Sequence, residues 1–254
     1  MKTESRHQSQ ILRIAQLKGS CTIIELAEQL GVSDETIRRH VKPLVEKGSV
    51  YKVHGGIVLP DRLREAPMER RMDENRNAKV NIASAVVNLI ENGDSLILDT
   101  GSTTAYVARA LSERNHLKVI TNSLQIARTL SRESTNQIYM IGGDLDTDVL
   151  ATFGPSALNF LRQFHVRHGI LSIGGINENN QLMNFELREA EFSRAVIEQS
   201  ASVTVVADHT KFSRRALVTV GNVADIDCFV SDQPPPKHFS EELSRHDVNL
   251  ITAS

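Results

Sequence analysis

The chain has few of the residues that build disulfide-linked, metal-binding or membrane proteins. Cys21 and Cys228 are its two cysteines and lie in unrelated segments, so we expect ordinary packing rather than a disulfide. His165 and His168 lack carboxylate or cysteine companions for a metal. No stretch approaches the ~18 uninterrupted apolar residues of a membrane helix, and the polar start lacks a signal-peptide pattern. We therefore expect a cytoplasmic protein that binds no metal and no membrane.

Two nucleotide-binding motifs are also absent from the body of the chain. Neither a Gly-x-Gly-x-x-Gly segment nor a Gly-Lys-Ser/Thr segment occurs there, which argues against NAD and ATP as ligands. We expect no cofactor. The 254 residues, of which 40% are hydrophobic, are sufficient for a small domain followed by an ordinary globular core.

The first sixty residues have the pattern of a helix-turn-helix. In residues 22–30 the apolar side chains fall at the spacing of one helical face, and Thr22 with Glu25 fits a capping box at the start of that helix. Gly31 can end the helix, and Ser33 can cap a second helix after a very short turn. The apolar side of the second helix consists of Ile37, Val41, Leu44 and Val45.

An earlier helix and a hairpin complete this pattern. The earlier helix, about residues 4–17, is expected to pack across the pair. Two short apolar runs, 50–53 and 57–59, flank His54-Gly55-Gly56, where the glycines permit a tight turn. The combination predicts a winged helix-turn-helix in residues 1–59, which is a fold that binds double-stranded DNA.

Polar and basic side chains of the second helix and the hairpin are the candidate DNA-binding residues. They are Ser33, Thr36, Arg38, Arg39, Lys42, Lys52 and His54. Nine basic against six acidic residues give positions 1–60 a net charge of +3, which leaves −5 for the remainder of a chain at −2. We expect the helix beginning at Ser33 to enter the major groove, with Arg38 and Arg39 contacting bases or phosphates. Because one such domain covers few base pairs, we expect a homodimer or homotetramer on repeated half-sites of operator DNA.

The segment from Arg6 through Gly55-Gly56 resembles the amino-terminal domain of the DeoR family of bacterial transcription regulators. Two residues depart from the expected pattern. His40 follows the Arg-Arg pair, where the family commonly has Asp, so any role of that carboxylate is absent here. Pro43 lies inside the expected helix. Since an interior proline removes one backbone hydrogen bond and costs about 3 kcal/mol, we expect the helix to kink or stop near Lys42.

The remainder of the chain predicts an α/β domain. A charged stretch, 60–78, has no apolar run that could make a core and is the expected linker, with a helix possible after Pro67. Beyond it, residues 79–254 alternate β-branched apolar runs with helical patterns. Such alternation predicts a mainly parallel sheet covered by helices on both faces. The expected strands lie near residues 96–98, 119–120, 138–141, 170–173, 203–206, 228–230 and 248–251.

Small and polar residues cluster directly after these expected strands. The candidate effector-binding residues are Asp99, Gly101, Ser102, Thr103, Thr104, Asn122, Gly142, Gly143 and Lys211. In an open parallel sheet such positions converge on one crevice, where ligands normally bind. The segment 101–104 opens directly into a helix, so its amides, its hydroxyls and the helix dipole can hold a phosphate. Lys211 can add positive charge, while Asp99 and Asn122 can bind hydroxyl groups, so we expect a small phosphorylated polyol or sugar.

The same residues resemble the sensor domain of the DeoR family, which is similar to sugar-phosphate isomerases and binds phosphorylated sugars or polyols. Three further segments, 189–191, 208–212 and 231–236, resemble the subgroup that controls a glycerol-3-phosphate regulon. That resemblance implies glycerol 3-phosphate as a candidate effector. Ser193-Arg194 stands where Lys-Arg is often seen, so no contact of that lysine is implied here.

Two other functions are alternatives to a ligand-responsive repressor. The isomerase likeness allows a sugar-phosphate isomerase-like enzyme with an accessory DNA-binding domain, in which Asp99, Glu186 or Glu189 would be the base. No compelling acid/base pair at a fixed spacing supports that alternative, and we expect no enzymatic activity. A DNA-architectural protein without a ligand would leave the cluster after the strands unexplained. The sequence therefore favours a DNA-binding repressor whose operator affinity is modulated by a phosphorylated metabolite.

Overall fold

The computed structural model describes residues 6–18, 20–47, 49–53, 55–58, 65–132, 135–212, 214 and 216–253. The chain divides into two compact units, residues 1–65 and residues 66–254. Across the described ranges, no helix is long and apolar enough to cross a membrane.

Unit 1 contains three helices and a small antiparallel sheet. The helices are α1 (Arg6–Lys18), α2 (Ile23–Leu30) and α3 (Asp34–Glu46), and the strands are β1 (Ser20–Thr22), β2 (Tyr51–Val53) and β3 (Gly56–Val58). The sheet order is β1-β3-β2, with antiparallel pairing throughout. The predicted winged helix-turn-helix is confirmed. The added strand β1 is only three residues long, which is too short to give a pattern in the sequence.

Local hydrogen bonds fix the turn between α2 and α3. Thr22 Oγ1 accepts from the Glu25 amide at 3.1 Å, and Glu25 Oε2 accepts from the Thr22 amide at 2.8 Å, so the predicted capping box is present. Gly31 has φ 64°, a left-handed conformation that favours glycine. Ser33 Oγ then accepts from the Thr36 amide at 3.3 Å and caps α3.

The prediction that α3 stops near Lys42 is wrong, and its alternative, a kink there, stays a prediction. The helix continues to Glu46 with Pro43 inside it. Leu44, one residue beyond the proline, is fully buried in the core of unit 1, which stabilises the helix by roughly 1.5–3 kcal/mol. The Lys47 amide also donates to the carbonyl oxygen of Pro43 at 3.1 Å. Packing of the last turn therefore offsets the missing hydrogen bond.

Unit 2 alternates strands and helices. Its strands are β4 (Ser95–Leu98), β5 (Lys118–Thr121), β6 (Gln137–Met140), β7 (Asp144–Asp146), β8 (Ala151–Phe153), β9 (Val166–Ser172), β10 (Gly175–Ile176), β11 (Leu182–Asn184), β12 (Ser200–Val206), β13 (Val218–Gly221), β14 (Cys228–Ser231) and β15 (Asn249–Thr252). Its helices are α4 (Met68–Asp73), α5 (Arg76–Val87), α6 (Ser102–Ala110), α7 (Leu124–Leu130), α8 (Pro155–Leu161), α9 (Leu187–Glu198) and α10 (Lys237–Arg245).

Seven of these strands form one parallel sheet in the order β15-β14-β12-β9-β4-β5-β6. Ile97 belongs to the hydrophobic core on one face, and its neighbours Leu96 and Leu98 belong to the core on the other. Successive side chains of a strand alternate between faces, so the predicted parallel sheet covered on both faces is confirmed. The strand order reverses between β4 and β9, and such a switch point is where open α/β sheets normally bind ligands.

Several elements lie outside the sequence expectation. The pair β7–β8 and the antiparallel sheet β10-β11-β13 consist of strands of two to four residues, too short to show alternation. Within the expected linker 60–78, α4 is the helix considered possible after Pro67, but α4 and the start of α5 belong to unit 2, where Met68 is buried in the core. Residues 60–64 lie outside the described residues.

Candidate functional site

Three exposed basic side chains of unit 1 line part of one groove, which also includes the carboxylate of Glu46. The groove has a volume of about 280 Å³, lies between α3 and the β2–β3 hairpin, and is lined in part by Arg38, Lys42 and Lys52. These three side chains are exposed, as is Arg39 beside them on α3. Four of the seven candidate DNA-binding residues are thus exposed cations on α3 and the adjoining hairpin.

The other three candidates occupy different situations. Ser33 and Thr36 lie at the start of α3, where their hydroxyl oxygens are 3.0 Å apart, so both belong to the helix cap. His54 lies outside the described residues. Tyr51, which the sequence reasoning did not single out, is 46% exposed next to Lys52. The sequence signal that could have indicated Tyr51 as a DNA contact is its position beside Lys52 in the predicted hairpin.

A close backbone contact holds the hairpin in place. The Ile23 amide donates to the Gly55 carbonyl oxygen at 2.9 Å. A Cβ at Gly56 would lie 2.3 Å from the carbonyl oxygen of Cys21, so only glycine allows β3 to approach β1 this closely. The contact fixes Lys52 relative to the helices of unit 1.

His40 connects α3 to α1. Its ring stacks on that of His7, with centroids 5.0 Å apart and an interplanar angle of 22°. Burial, followed by the nearby His7 and Arg39, lowers the pKa of His40 below its ordinary value. The residue that replaces the family's usual Asp therefore contributes to packing between two helices.

In unit 2, the loop after β4 meets the end of β9 at the switch point. The Ser172 amide donates to Asp99 Oδ2 at 3.0 Å. A Cβ at Gly101 would lie 2.0 Å from Ser172 Oγ, so this glycine permits the close approach. Helix α6 starts at Ser102 without a side-chain cap among the described residues, and its first backbone bond runs from the Ala105 amide to the Gly101 carbonyl at 2.9 Å.

The start of α6 has the properties of an anion site. The amides of residues 102–104 have no partner within the helix, since they precede its first hydrogen bond. Ser102, Thr103 and Thr104 are only 7%, 3% and 0% exposed. An anion placed there would interact with the amides and the helix dipole largely away from water, which strengthens the interaction.

A second polar cluster follows β12 at the same edge of the sheet. Asp208 Oδ1 accepts from the Thr210 amide at 3.0 Å and from Asn75 Nδ2 at 3.3 Å. The short helical turn that Asp208 caps ends at Lys211. Lys211 therefore lies two strands from the start of α6, because β9 separates β12 from β4.

Lys79 of α5 joins this cluster and was missed in the sequence. Its side chain is 3% exposed, and its Nζ donates to the Arg71 carbonyl oxygen at 2.6 Å and also to the Glu74 carbonyl oxygen. Burial and the positive charge of Lys211 lower the pKa of Lys79, while the Asp208 carboxylate opposes that change. The available signal was helical spacing: Lys79 precedes Ile82, Ala83 and Val86 at i+3, i+4 and i+7, on the face that becomes buried.

His209 and Asp232 form a pair next to Lys211. The His209 amide lies 2.7 Å from Asp232 Oδ1, and His209 Nδ1 lies 2.7 Å from Asp232 Oδ2. Because a carboxylate only accepts, a neutral imidazole in this pair carries its proton on Nδ1 and keeps Nε2 as an acceptor. Asp232 is 8% exposed and His209 is 40% exposed.

The remaining candidates follow β5 and β6. Asn122 is fully buried, and its Nδ2 donates to the Thr152 carbonyl oxygen at 3.1 Å. A Cβ at Gly143 would lie 2.4 Å from the Phe153 carbonyl oxygen, whereas a Cβ at Gly142 would meet open space. Asn122 and Gly143 thus support the β7–β8 pair, and contact of either with a ligand stays a prediction. Within the described ranges, no group of three His, Cys, Asp or Glu residues could hold a metal ion.

Both units match models of one protein family. The family model described as the DeoR-like helix-turn-helix domain matches residues 6–62, and that of the DeoR C terminal sensor domain matches residues 74–233. This chain belongs to the DeoR family. It is 35% identical to the glycerol-3-phosphate regulon repressor of Escherichia coli (strain K12), over 98% of this chain and 99% of that protein. It is 33% identical to the HTH-type transcriptional repressor CsqR of the same organism, over 97% and 94%. A DeoR-family protein of this kind is a transcription regulator and not an enzyme.

Some solved structures show a more distant likeness. A ribose 5-phosphate isomerase A from Methanocaldococcus jannaschii is 16% identical, with a TM-score of 0.41 over 56% of each chain. The eIF2B beta subunit from Chaetomium thermophilum is 14% identical, with a TM-score of 0.49 over 95% of this chain and 71% of that chain. The family assignment depends on the sequence matches alone.

Proposed function

We propose that this DeoR-family protein is a repressor that binds operator DNA through unit 1 and is released when unit 2 binds a small phosphorylated polyol or sugar. Glycerol 3-phosphate is the first effector to test, because the E. coli and Haemophilus influenzae proteins named glycerol-3-phosphate regulon repressor are 35% and 36% identical to this chain. The observation that carries the proposal is the uncapped start of α6 at the β4/β9 switch point.

Unit 1 supplies the DNA contacts. Helix α3 enters the major groove, with Arg38 and Arg39 reaching bases or phosphates. Lys42 and Lys52, which line the same groove as Arg38, neutralise phosphates on either side. Contacts to phosphate fix the position of the protein, and contacts to base edges read the sequence.

Unit 2 supplies the effector site. The phosphate occupies the start of α6, where the amides of 102–104 and the dipole favour a negative charge. Buried Lys79 and nearby Lys211 lend positive charge from the adjoining cluster. Asp99 and Asp208 accept hydrogen bonds from hydroxyl groups at the other end of the ligand. A phosphate facing either carboxylate would be repelled, so the site fixes the orientation of a molecule with one phosphate and one polyol end.

Binding at the two sites is coupled. An effector that lowers DNA affinity must itself bind less tightly when DNA is present, with typical coupling free energies of about 1–3 kcal/mol. The working form is a homodimer or homotetramer, since one unit 1 covers only part of an operator.

Fluorescence anisotropy of the full chain on labelled DNA from upstream of its own gene cluster tests this function. At fixed salt, glycerol 3-phosphate is expected to release the DNA, whereas glycerol and inorganic phosphate at the same concentration are not. DNA binding that no sugar phosphate changes would favour an architectural protein, and isomer product in a parallel assay would favour the enzyme. Absence of saturable DNA binding would overturn the proposal.

Lys211→Ala separates the two activities. The variant is expected to bind DNA normally but to need at least about tenfold more effector for release, because loss of a charged contact is typically worth ~1.5–3 kcal/mol. Lys237→Ala on α10, whose side chain is 91% exposed, is the matched control.

A further inference from the structure

A second groove in unit 2 has a lining distinct from the candidate effector-binding residues, although Thr100 Oγ1 donates to the Val149 carbonyl oxygen of its bordering turn at 3.4 Å. It has a volume of about 890 Å³ and is bordered by α4, α6, α7 and the turn at 148–150. Two leucines in it are unusually exposed, Leu124 at 41% and Leu150 at 46%. The Leu124 amide donates to the Leu150 carbonyl oxygen at 2.9 Å, so the backbones of these two groove residues are held next to each other. We call this surface the α4–α7 groove.

Charge is distributed unevenly along the α4–α7 groove. Glu69 and Asp73 lie on the α4 wall, and Arg128 and Arg132 lie on or just after α7. All four side chains are exposed. Within the part of the chain that the structure describes, none of the four makes an ion pair. The α4 wall is therefore acidic and the α7 wall is basic, and the lining also includes one further charge of each sign, Arg109 of α6 and Asp148 of the turn.

The base of the groove is ordered. Tyr106 donates its hydroxyl hydrogen to the Met72 carbonyl oxygen at 3.0 Å, which joins α6 to α4. The Arg109 guanidinium lies 4.9 Å from the centroid of the Tyr106 ring. Leu150 has φ 49°, a left-handed conformation that is unfavourable for leucine. Leu150 therefore exposes an apolar side chain to water while its backbone has an unfavourable conformation. Burial of this side chain against a partner would stabilise the arrangement.

We propose that the α4–α7 groove is the surface through which two copies of this chain associate about a twofold axis. In such an interface the same patch lies on both copies and must be complementary to itself. Rotation by half a turn places the acidic α4 wall of one copy against the basic α7 wall of the other. Leu124 and Leu150 then fill the centre, as apolar residues do in the core of a protein interface.

Other occupants fit the groove less well. The lining contains three carboxylates, of Glu69, Asp73 and Asp148, and three guanidinium groups, of Arg109, Arg128 and Arg132, so it offers DNA, an anionic membrane or a small anion no excess of positive charge. A second copy of the chain fits, because the same groove contains both the acidic and the basic side chains that such an interface would pair. The inference rests on the homo-oligomer of the proposed function and assigns the face that forms it.

Sedimentation velocity of the full chain, without DNA or effector, tests the assignment with two charge-reversal variants. One variant is Arg128→Glu/Arg132→Glu, which makes both walls acidic, and the other is Glu69→Arg/Asp73→Arg, which makes both walls basic. Each alone is expected to self-associate about 100-fold more weakly than the wild type, because like charges placed together across an interface cost several kcal/mol. An equimolar mixture of the two is expected to regain the wild-type mass, since every acidic wall then meets a basic one.

Lys237→Glu/Glu241→Lys on α10 reverses exposed charges elsewhere and is the matched control. Circular dichroism checks that each variant folds. A monomeric wild type, variants that associate as the wild type does, or folded variants that fail to reassociate on mixing would each overturn the assignment. Since no DNA or effector is present, these results leave DNA recognition and effector response to be judged separately.

Discussion

Asn75 donates a hydrogen bond from Nδ2 to Oδ1 of Asp208 at 3.3 Å, across 133 positions of the chain. Asn75 lies between α4 and α5, in the part of unit 2 that follows unit 1 directly in sequence. Asp208 belongs to the cluster proposed to bind the hydroxyl end of the effector. An effector hydroxyl that competes for the Asp208 carboxylate would therefore also alter the segment next to unit 1.

Replacing Asn75 tests this connection. Asn75 has φ 50°, so Asn75→Gly removes the side chain and keeps the left-handed backbone. We expect normal DNA affinity without effector. The ratio of the DNA affinity without effector to that with effector should fall about two- to tenfold, because one net hydrogen bond is worth ~0.5–1.5 kcal/mol. Anisotropy titrations at saturating effector measure the ratio. Asn77→Gly, at an exposed position of α5, is the control for backbone effects. An unchanged ratio in Asn75→Gly would show that the hydrogen bond from Asn75 to Asp208 does not contribute to the coupling between effector and DNA.

Lys79 is expected to contribute to both effector binding and stability. Lys79→Met keeps most of the side-chain length but removes the charge and the donors to Arg71 and Glu74. We expect at least about tenfold weaker effector binding and a loss of about 1–3 kcal/mol in the free energy of unfolding. The reason is that the Arg71 carbonyl, in a buried hydrogen bond, and the Glu74 carbonyl, in a partly buried one, both lose their partner. Calorimetric titration and urea unfolding measure the two effects. Lys118→Met, an exposed lysine in β5, should change neither, and effector affinity equal to wild type in Lys79→Met would contradict the assignment.

His209 is expected to select for a hydroxyl group. In the neutral tautomer with the proton on Nδ1 toward Asp232, the ring offers Nε2 as an acceptor. We expect the wild type to prefer glycerol 3-phosphate over propyl phosphate, and His209→Phe to lose most of that preference while still binding both. A hydrogen bond of ~1 kcal/mol corresponds to about a fivefold change in the ratio of dissociation constants. The same ratio in His209→Phe and in the wild type would exclude this role.

How far the sequence predicts this molecule depends on the distance over which each signal acts. Capping and turn signals depend on only a few neighbouring residues. The predicted positions are occupied by Thr22 with Glu25, by Gly31 and by Ser33. Pro43 is a local signal that tertiary burial of Leu44 overrides. Rules for single residues therefore predict the start of α3 correctly and its end incorrectly.

The proposed effector site also contains residues whose role cannot be predicted from their neighbours in sequence. The segment 99–104 can be recognised because a strand, a glycine and a helix start are contiguous. Asn75, Lys79 and Asp232 acquire their importance only through partners far away in sequence. Nothing near Asn75 in the sequence indicates that it reaches Asp208, and the parallel sheet is what brings the two together.

Gly101 is expected to be required for packing at the switch point. Gly101→Ala would place a methyl group 2.0 Å from Ser172 Oγ and 3.1 Å from Ser172 Cβ. We expect the unfolding free energy to fall by about 1–3 kcal/mol, the usual cost of overpacking. Ser172→Gly in the same chain should restore much of it. Gly142→Ala, where the added methyl meets open space, is the control, and thermal unfolding followed by circular dichroism compares the four proteins. Equal stability of Gly101→Ala and wild type would show that the loop can move aside.

Arg39 is expected to contribute to DNA affinity. The effect of its removal on sequence discrimination and on salt dependence shows whether it contacts a base edge or a phosphate. The side chain is exposed on α3 next to Arg38. If Arg39 binds a base edge, Arg39→Ala should weaken operator binding by about 1–3 kcal/mol and reduce discrimination against a mutated operator. If it binds a phosphate, affinity should fall similarly on all sequences, and the slope of log affinity against log salt should decrease by about 1.

Anisotropy titrations on the operator and on a scrambled duplex, each at several salt concentrations, distinguish these contacts for Arg39→Ala. Arg245→Ala carries the same charge change on α10 of unit 2 and should leave both affinity and slope unchanged. If Arg39→Ala and Arg245→Ala behave alike, the recognition surface does not include Arg39. The groove lined by Arg38, Lys42 and Lys52 would then contain the contacts that remain, because those three cations line part of it without Arg39.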